Sequence, residues 1–104
     1  MPKTKVPEHF RSIQERFPAI TDALNNLKDS IRRTGPLDAK TSQLIQLAAA
    51  AGIQSHGAVH SHVRQALAAG ATKEEIHHSV LLLISTIGFP RVAAAISWID
   101  EVLT

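Results

Sequence analysis

With 104 residues, 44% hydrophobic content and only 19% charged residues, the chain fits one globular domain rather than a disordered one. The absence of cysteine excludes disulfides, cysteine-ligated zinc and thiol nucleophiles together. A formal charge of +2, with basic residues scattered and not interleaved with aromatics, argues against nucleic acid as a partner.

Residues 1–6 lack an apolar stretch and read as a short flexible tail rather than a signal peptide. Residues 7–104 read as a single domain. Pro7 can open a first helix that carries Phe10, Ile13 and Phe17, and Pro18 interrupts it. Ile20, Leu24, Leu27 and Ile31 then recur at helical spacing, the apolar stripe of a second helix that Thr34, Gly35 and Pro36 end. Arg32 and Arg33 fall at its C-terminus, where the helix dipole favours cations.

Asp38 is placed to cap a third helix, with Leu44, Ile45, Leu47, Ala48 and Ala51 as its buried side and Gly52 as its stop. A fourth helix starts near Ser55, runs to Ala69 and is closed by Gly70. Thr72 and Glu75 have the spacing of a capping box and open a fifth helix that reaches about Ile87. Gly88, Phe89 and Pro90 break the chain before a sixth helix to Val102. No segment alternates with period two for long enough to be a strand, so the expected fold class is all-α, with about six helices. The apolar run 80–84 is far too short to cross a bilayer, so no membrane partner is expected.

Residues 81–84 are apolar on every side, and the sixth helix carries Val92, Ala93, Ala94, Ala95, Ile96, Trp98 and Ile99. A helix apolar all round is buried all round, and in a chain this small that favours a partner chain covering one side over one large internal helix pair. A homo-oligomer is therefore expected.

The chemistry concentrates in residues 55–62, Ser-His-Gly-Ala-Val-His-Ser-His. At about 100° per residue, His56 and His60 share one helix face. His62 lies about 160° away from His60 and shares its face with Ser55 and Ala58. His56 and His60 have the i, i+4 spacing of helical metal ligands, but the helix offers no third ligand on that face. Only His77, His78 or a second chain could complete the set, so neither a metal nor any other cofactor is expected, and partly exposed surface histidines are the plainer reading. An imidazole at His62, on a small and largely apolar face, must find a hydrogen-bond partner. A satisfied core histidine and a general acid/base both meet that need. Asp100 and Glu101, near a chain end, read as solvated.

Taken with the stretches 37–41 (Leu-Asp-Ala-Lys-Thr), 43–45 (Gln-Leu-Ile), 66–76 (Ala-Leu-Ala-Ala-Gly-Ala-Thr-Lys-Glu-Glu-Ile) and 88–90 (Gly-Phe-Pro), the histidine segment resembles the carboxymuconolactone decarboxylase family, which includes the alkylhydroperoxidase D-like proteins. The resemblance runs from about Phe17 to the C-terminus without a gap. It implies an all-α alkylhydroperoxidase D-like fold in trimers or hexamers with sites near subunit contacts. The redox branch of that family uses a glutamate, two cysteines and a histidine, which fall here on Gln43, Ser55, Ala58 and His62. Glutamine does not ionise, and neither serine nor alanine can form a disulfide, so a peroxiredoxin-related thiol activity is disfavoured.

The decarboxylase branch lacks the cysteine pair and keeps the histidine. Resemblance to it implies an acid/base lyase acting on a small organic acid or lactone, with His62 as proton carrier. Gln43, Ser55 and Ala58 would then line the site, and His60, His78, Arg64 and Arg91 are candidates for holding a substrate carboxylate. A non-catalytic module that binds a metal or another ligand is the alternative. The cysteine-free composition and the missing signal peptide point to a cytoplasmic location.

Overall fold

A computed structural model of the chain describes residues 8–104, with the backbone alone at His9. The expected tail and Pro7 lie outside the described residues. Those that are described form helices and no strand. They divide into two compact units, residues 8–37 and 38–104.

The first unit is a pair of helices, α1 (Glu8–Arg16) and α2 (Pro18–Thr34), in contact with each other. Phe17 leaves helical geometry and Pro18 opens α2 inside its first turn, where a missing N–H costs nothing. Thr21 is buried and its hydroxyl donates to the Phe17 carbonyl at 3.1 Å. The α2 stripe of Ile20, Leu24, Leu27 and Ile31 is 50–62% exposed.

The second unit holds α3 (Ala39–Gly52), α4 (His56–Ala68), α5 (Lys73–Leu81), α6 (Ile84–Ile87) and α7 (Phe89–Leu103). Helix α3 packs on α4, α5 and α7, and α7 also meets α4, α5 and α6. Leu47, Val59, Val63, Ile76, Val80, Val92 and Ile99 are fully buried. Burying one such side chain stabilises the fold by roughly 1.5–3 kcal/mol relative to leaving it in water. Ala50, Ala51, Ala66, Ala71, Ala95 and Leu103 complete the core, and the small size of the helical alanines lets helix axes approach closely.

The helix starts follow the sequence. Asp38 accepts from the Thr41 amide at 2.7 Å, and Thr72 and Glu75 form a reciprocal capping box. Lys40 ties α3 to that box through Glu75 at 3.0 Å.

Three features depart from the sequence reading. On α3, Ile45 is exposed while Gln43 and Ala50 are buried, because the core face is set by positions 43, 47, 50 and 51 and Ile45 lies opposite them. Helix α3 ends at Gly52 as expected, but Gly52 is not the left-handed residue of its ending. Gln54 takes the left-handed position (φ 56°), with its amide bonded to the Ala51 carbonyl and the Ser55 amide to Ala50, a Schellman ending. The expected fifth helix divides into α5 and α6, because the Leu83 amide bonds Val80, three residues back instead of four. The tighter turn presents Leu83 and Ile87 to the core. Leu81, Leu82 and Ile84 remain exposed in the single chain, which covers this apolar run on one side only.

Candidate functional site

Two consecutive helix endings set the position of α4. The Schellman ending of α3 delivers Ser55 as N-cap, its hydroxyl accepting from the Ala58 amide at 3.4 Å. At the other end Gly70, at φ 95°, closes α4 in a second Schellman ending, with Ala71 bonded back to Ala66. With both ends defined and Val59, Val63 and Ala66 in the core, the rotation of α4 about its axis is determined. Its histidines then leave on different sides.

His62 faces α3. Its Nδ1 lies 2.8 Å from Oε1 of Gln43, which is only 8% exposed. An amide oxygen only accepts, so this pairing puts the hydrogen of a neutral ring on Nδ1 and its lone pair on Nε2.

His56 and His60 face α7. Both place Nε2 2.7 Å from one oxygen, Oε1 of Glu101. The rings meet edge-on at 4.6 Å, and the His56 ring stacks on Trp98 at 4.9 Å with 19° between planes. Bonds from His56 and then His60 hold the Glu101 carboxyl below its ordinary range. Gln54, in the turn before α4, adds a bond to the Arg91 carbonyl in the first turn of α7.

The terminal carboxylates are therefore not merely solvated. Glu101 joins two histidines, and Asp100 accepts from or shares a proton with His77 at 2.8 Å. The third polar group on the His56–His60 face is Glu101, not His77 or His78. Sequence reasoning missed it because the partners are 41 and 45 residues apart and only the α4–α7 packing brings them together.

The match to known proteins spans most of the chain. The family model described as the carboxymuconolactone decarboxylase family matches residues 18–101. The chain belongs to that family. An uncharacterized protein of Methanocaldococcus jannaschii is 26% identical over 95 residues, covering 90% of this chain and 91% of the relative. The crystal structure of an apo carboxymuconolactone decarboxylase family protein from Legionella pneumophila superposes with a TM-score of 0.76. It is 23% identical and covers 92% of this chain and 88% of that one, a likeness of fold.

Within this family frame the remaining candidate residues separate. Ser55 caps the helix and Ala58 packs against the core, so neither position carries a nucleophile for thiol chemistry. Arg64 follows His62 by two residues and thus leaves α4 on the His60 side, about 160° from His62. Burial pushes its guanidinium below the ordinary range, and no carboxylate among the described residues pairs with it. His78 on α5 and Arg91 in the first turn of α7 are exposed. Among the described residues, no helix is long and apolar enough to cross a membrane.

Proposed function

We propose that this family member is an acid/base enzyme that decarboxylates a small organic acid or lactone acid, with His62 carrying the proton. The observation that supports this reading is the bond from His62 Nδ1 to the buried amide oxygen of Gln43. Glutamine cannot take a proton, so Gln43 is a positioning residue that sets the ring's tautomer and direction. Proton exchange then belongs to Nε2. In the reaction the bond from carbon to the carboxylate breaks, carbon dioxide leaves, and the electron pair stays behind as an enolate-like centre. Nε2 of protonated His62 donates its hydrogen to that carbon, and the neutral ring is reprotonated from solvent. The absent cysteines leave no route to a thiol peroxidase cycle within the chain.

The same reading includes assembly with further copies of the chain, as trimers or hexamers. The exposed stripe on α2 and the exposed Leu81, Leu82 and Ile84 support it, since apolar surface of this kind gains from being covered. Light scattering at micromolar concentration tests it, and a clean monomer would sink it.

The activity test is release of carbon dioxide from a panel of small lactone acids and unsaturated or keto acids. Turnover by the intact chain should fall by at least about 100-fold in His62→Gln, which keeps volume and hydrogen bonding but removes the exchangeable proton. An unchanged rate in that variant, or no turnover across the panel, defeats the proposal.

A further inference from the structure

The proton-carrier reading does not use the other histidine face of α4. There, two imidazoles from one helix and a carboxylate from another point their ligand atoms at a common spot. Nε2 of His56, Nε2 of His60 and an oxygen of Glu101 all lie within 4.8 Å of one another. We propose that His56, His60 and Glu101 bind a divalent transition-metal ion of the zinc class.

The donor set decides the class of ion. Two imidazole nitrogens and one carboxylate oxygen suit zinc, cobalt or nickel, whereas magnesium and calcium take oxygen ligands. Two histidines and a glutamate, with the remaining position left to water, is a known pattern for zinc sites that keep an exchangeable ligand.

The geometry needs little adjustment. Around an ion with ligands at about 2.1 Å, tetrahedral neighbours stand roughly 3.4 Å apart. The two nitrogen–oxygen distances of 2.7 Å must therefore open by less than about 1 Å, and the two nitrogens, which lie within 4.8 Å of each other, must close by no more than about 1.4 Å. The side chains of His56 and Glu101 are 52% and 51% exposed and that of His60 is 28% exposed, so small rotations achieve this without disturbing the core. On binding, each ring carries its hydrogen on Nδ1 and presents the Nε2 lone pair to the ion. Stacking on Trp98 already restrains the His56 ring, which lowers the entropy lost on binding. The half-exposed setting leaves room for water or an anionic oxygen as a further ligand.

This site stands apart from the acid/base reading. His62 leaves α4 on the other side and is bonded to Gln43, so failure of either proposal leaves the other intact.

Trp98 is the only tryptophan in the chain, which makes it a built-in reporter beside His56. Cobalt(II) chloride is titrated into the tag-free full-length protein at neutral pH while Trp98 fluorescence and visible absorption are followed. Saturable quenching at one ion per chain is expected, together with the absorption bands of low-coordinate cobalt. Zinc chloride should reverse the quenching and magnesium chloride should not. Affinity should fall at least about tenfold in Glu101→Gln and in His60→Gln, and stay within twofold of the parent in His77→Gln and His78→Gln. Circular dichroism melts establish that each variant is folded. Because Glu101→Gln preserves volume and a hydrogen-bonding oxygen, it keeps the test sound if His60→Gln folds poorly. Absence of saturable quenching up to millimolar cobalt overturns the proposal. So does equal affinity in folded Glu101→Gln, or loss of binding in His77→Gln.

Discussion

The two units of the chain treat their apolar residues in opposite ways. Residues 38–104 bury Leu47, Ile76, Val92 and Ile99 completely, while the α2 stripe of residues 8–37 is at least half exposed at every position. The helices of the first unit are the more sharply amphipathic of the two sets, so amphipathic pattern alone does not make a core. The difference is the number of faces available within each unit: α3, α4, α5 and α7 cover one another, whereas the first unit holds two helices. A single helix pair cannot enclose a stripe, and its apolar face is completed by another surface or stays wet.

The sharpest way to break this contrast is truncation on each side. Ile76→Ala removes a fully buried side chain of the second unit and should cost about 2–5 kcal/mol in chemical denaturation. If it costs no more than a surface substitution, the core is misplaced.

A backbone change inside the second unit should rank next. Gly88 sits at φ 91°, ψ 154° as N-cap of α7, and an added Cβ would meet only Pro90 Cδ at an ordinary 3.9 Å. The penalty of Gly88→Ala is therefore backbone strain, on the order of 1–3 kcal/mol. A melting temperature unchanged from the parent would refute that assignment.

Acid should act on the second unit through its helix starts. The Thr41 amide holds the Asp38 carboxyl below its ordinary 3.8, and the Thr72 amide followed by Lys40 holds Glu75 below 4.5. For a depressed folded-state pKa, the stabilisation is present above the unfolded-state value and is lost as pH falls through the folded one. Melting temperature should therefore drop as pH is lowered below about 4.5, and the drop should shrink in Asp38→Asn. An identical acid profile in that variant would contradict the cap's role.

The smallest effect on folding is expected on α2. Leu24→Ser changes a half-exposed position and should alter the stability of the dissociated chain by less than about 0.5 kcal/mol. Its effect should instead appear in solution mass, as weaker self-association. A large loss of stability with no change in mass would show that the stripe is covered within the chain.

Much of this was legible in local chemistry. Asp38 and the Thr72–Glu75 pair announce helix starts because their side chains bond amides three residues away. Gly70 and Gly88 mark places where the backbone must take positive φ. The opposite directions of His62 and the His56–His60 pair follow from helical periodicity, and family membership follows from motifs spread over most of the chain.

Sequence by itself therefore determined the helical class, most helix limits, the family and the lack of thiol chemistry, since these depend on contacts a few residues apart or on composition. Tertiary structure alone decided which atoms of Gln43 and His62 meet, that Glu101 closes the His56–His60 face, and that Ile45 and, in the single chain, residues 81, 82 and 84 stay outside the core. It also decided that Gln54, not Gly52, takes the left-handed turn, where its side chain reaches the carbonyls of Ala51 and Arg91. The physical reason is common to all of these. Each depends on which helices pack together and at what rotation, and that is settled by the sum of many buried contacts, which no local pattern encodes.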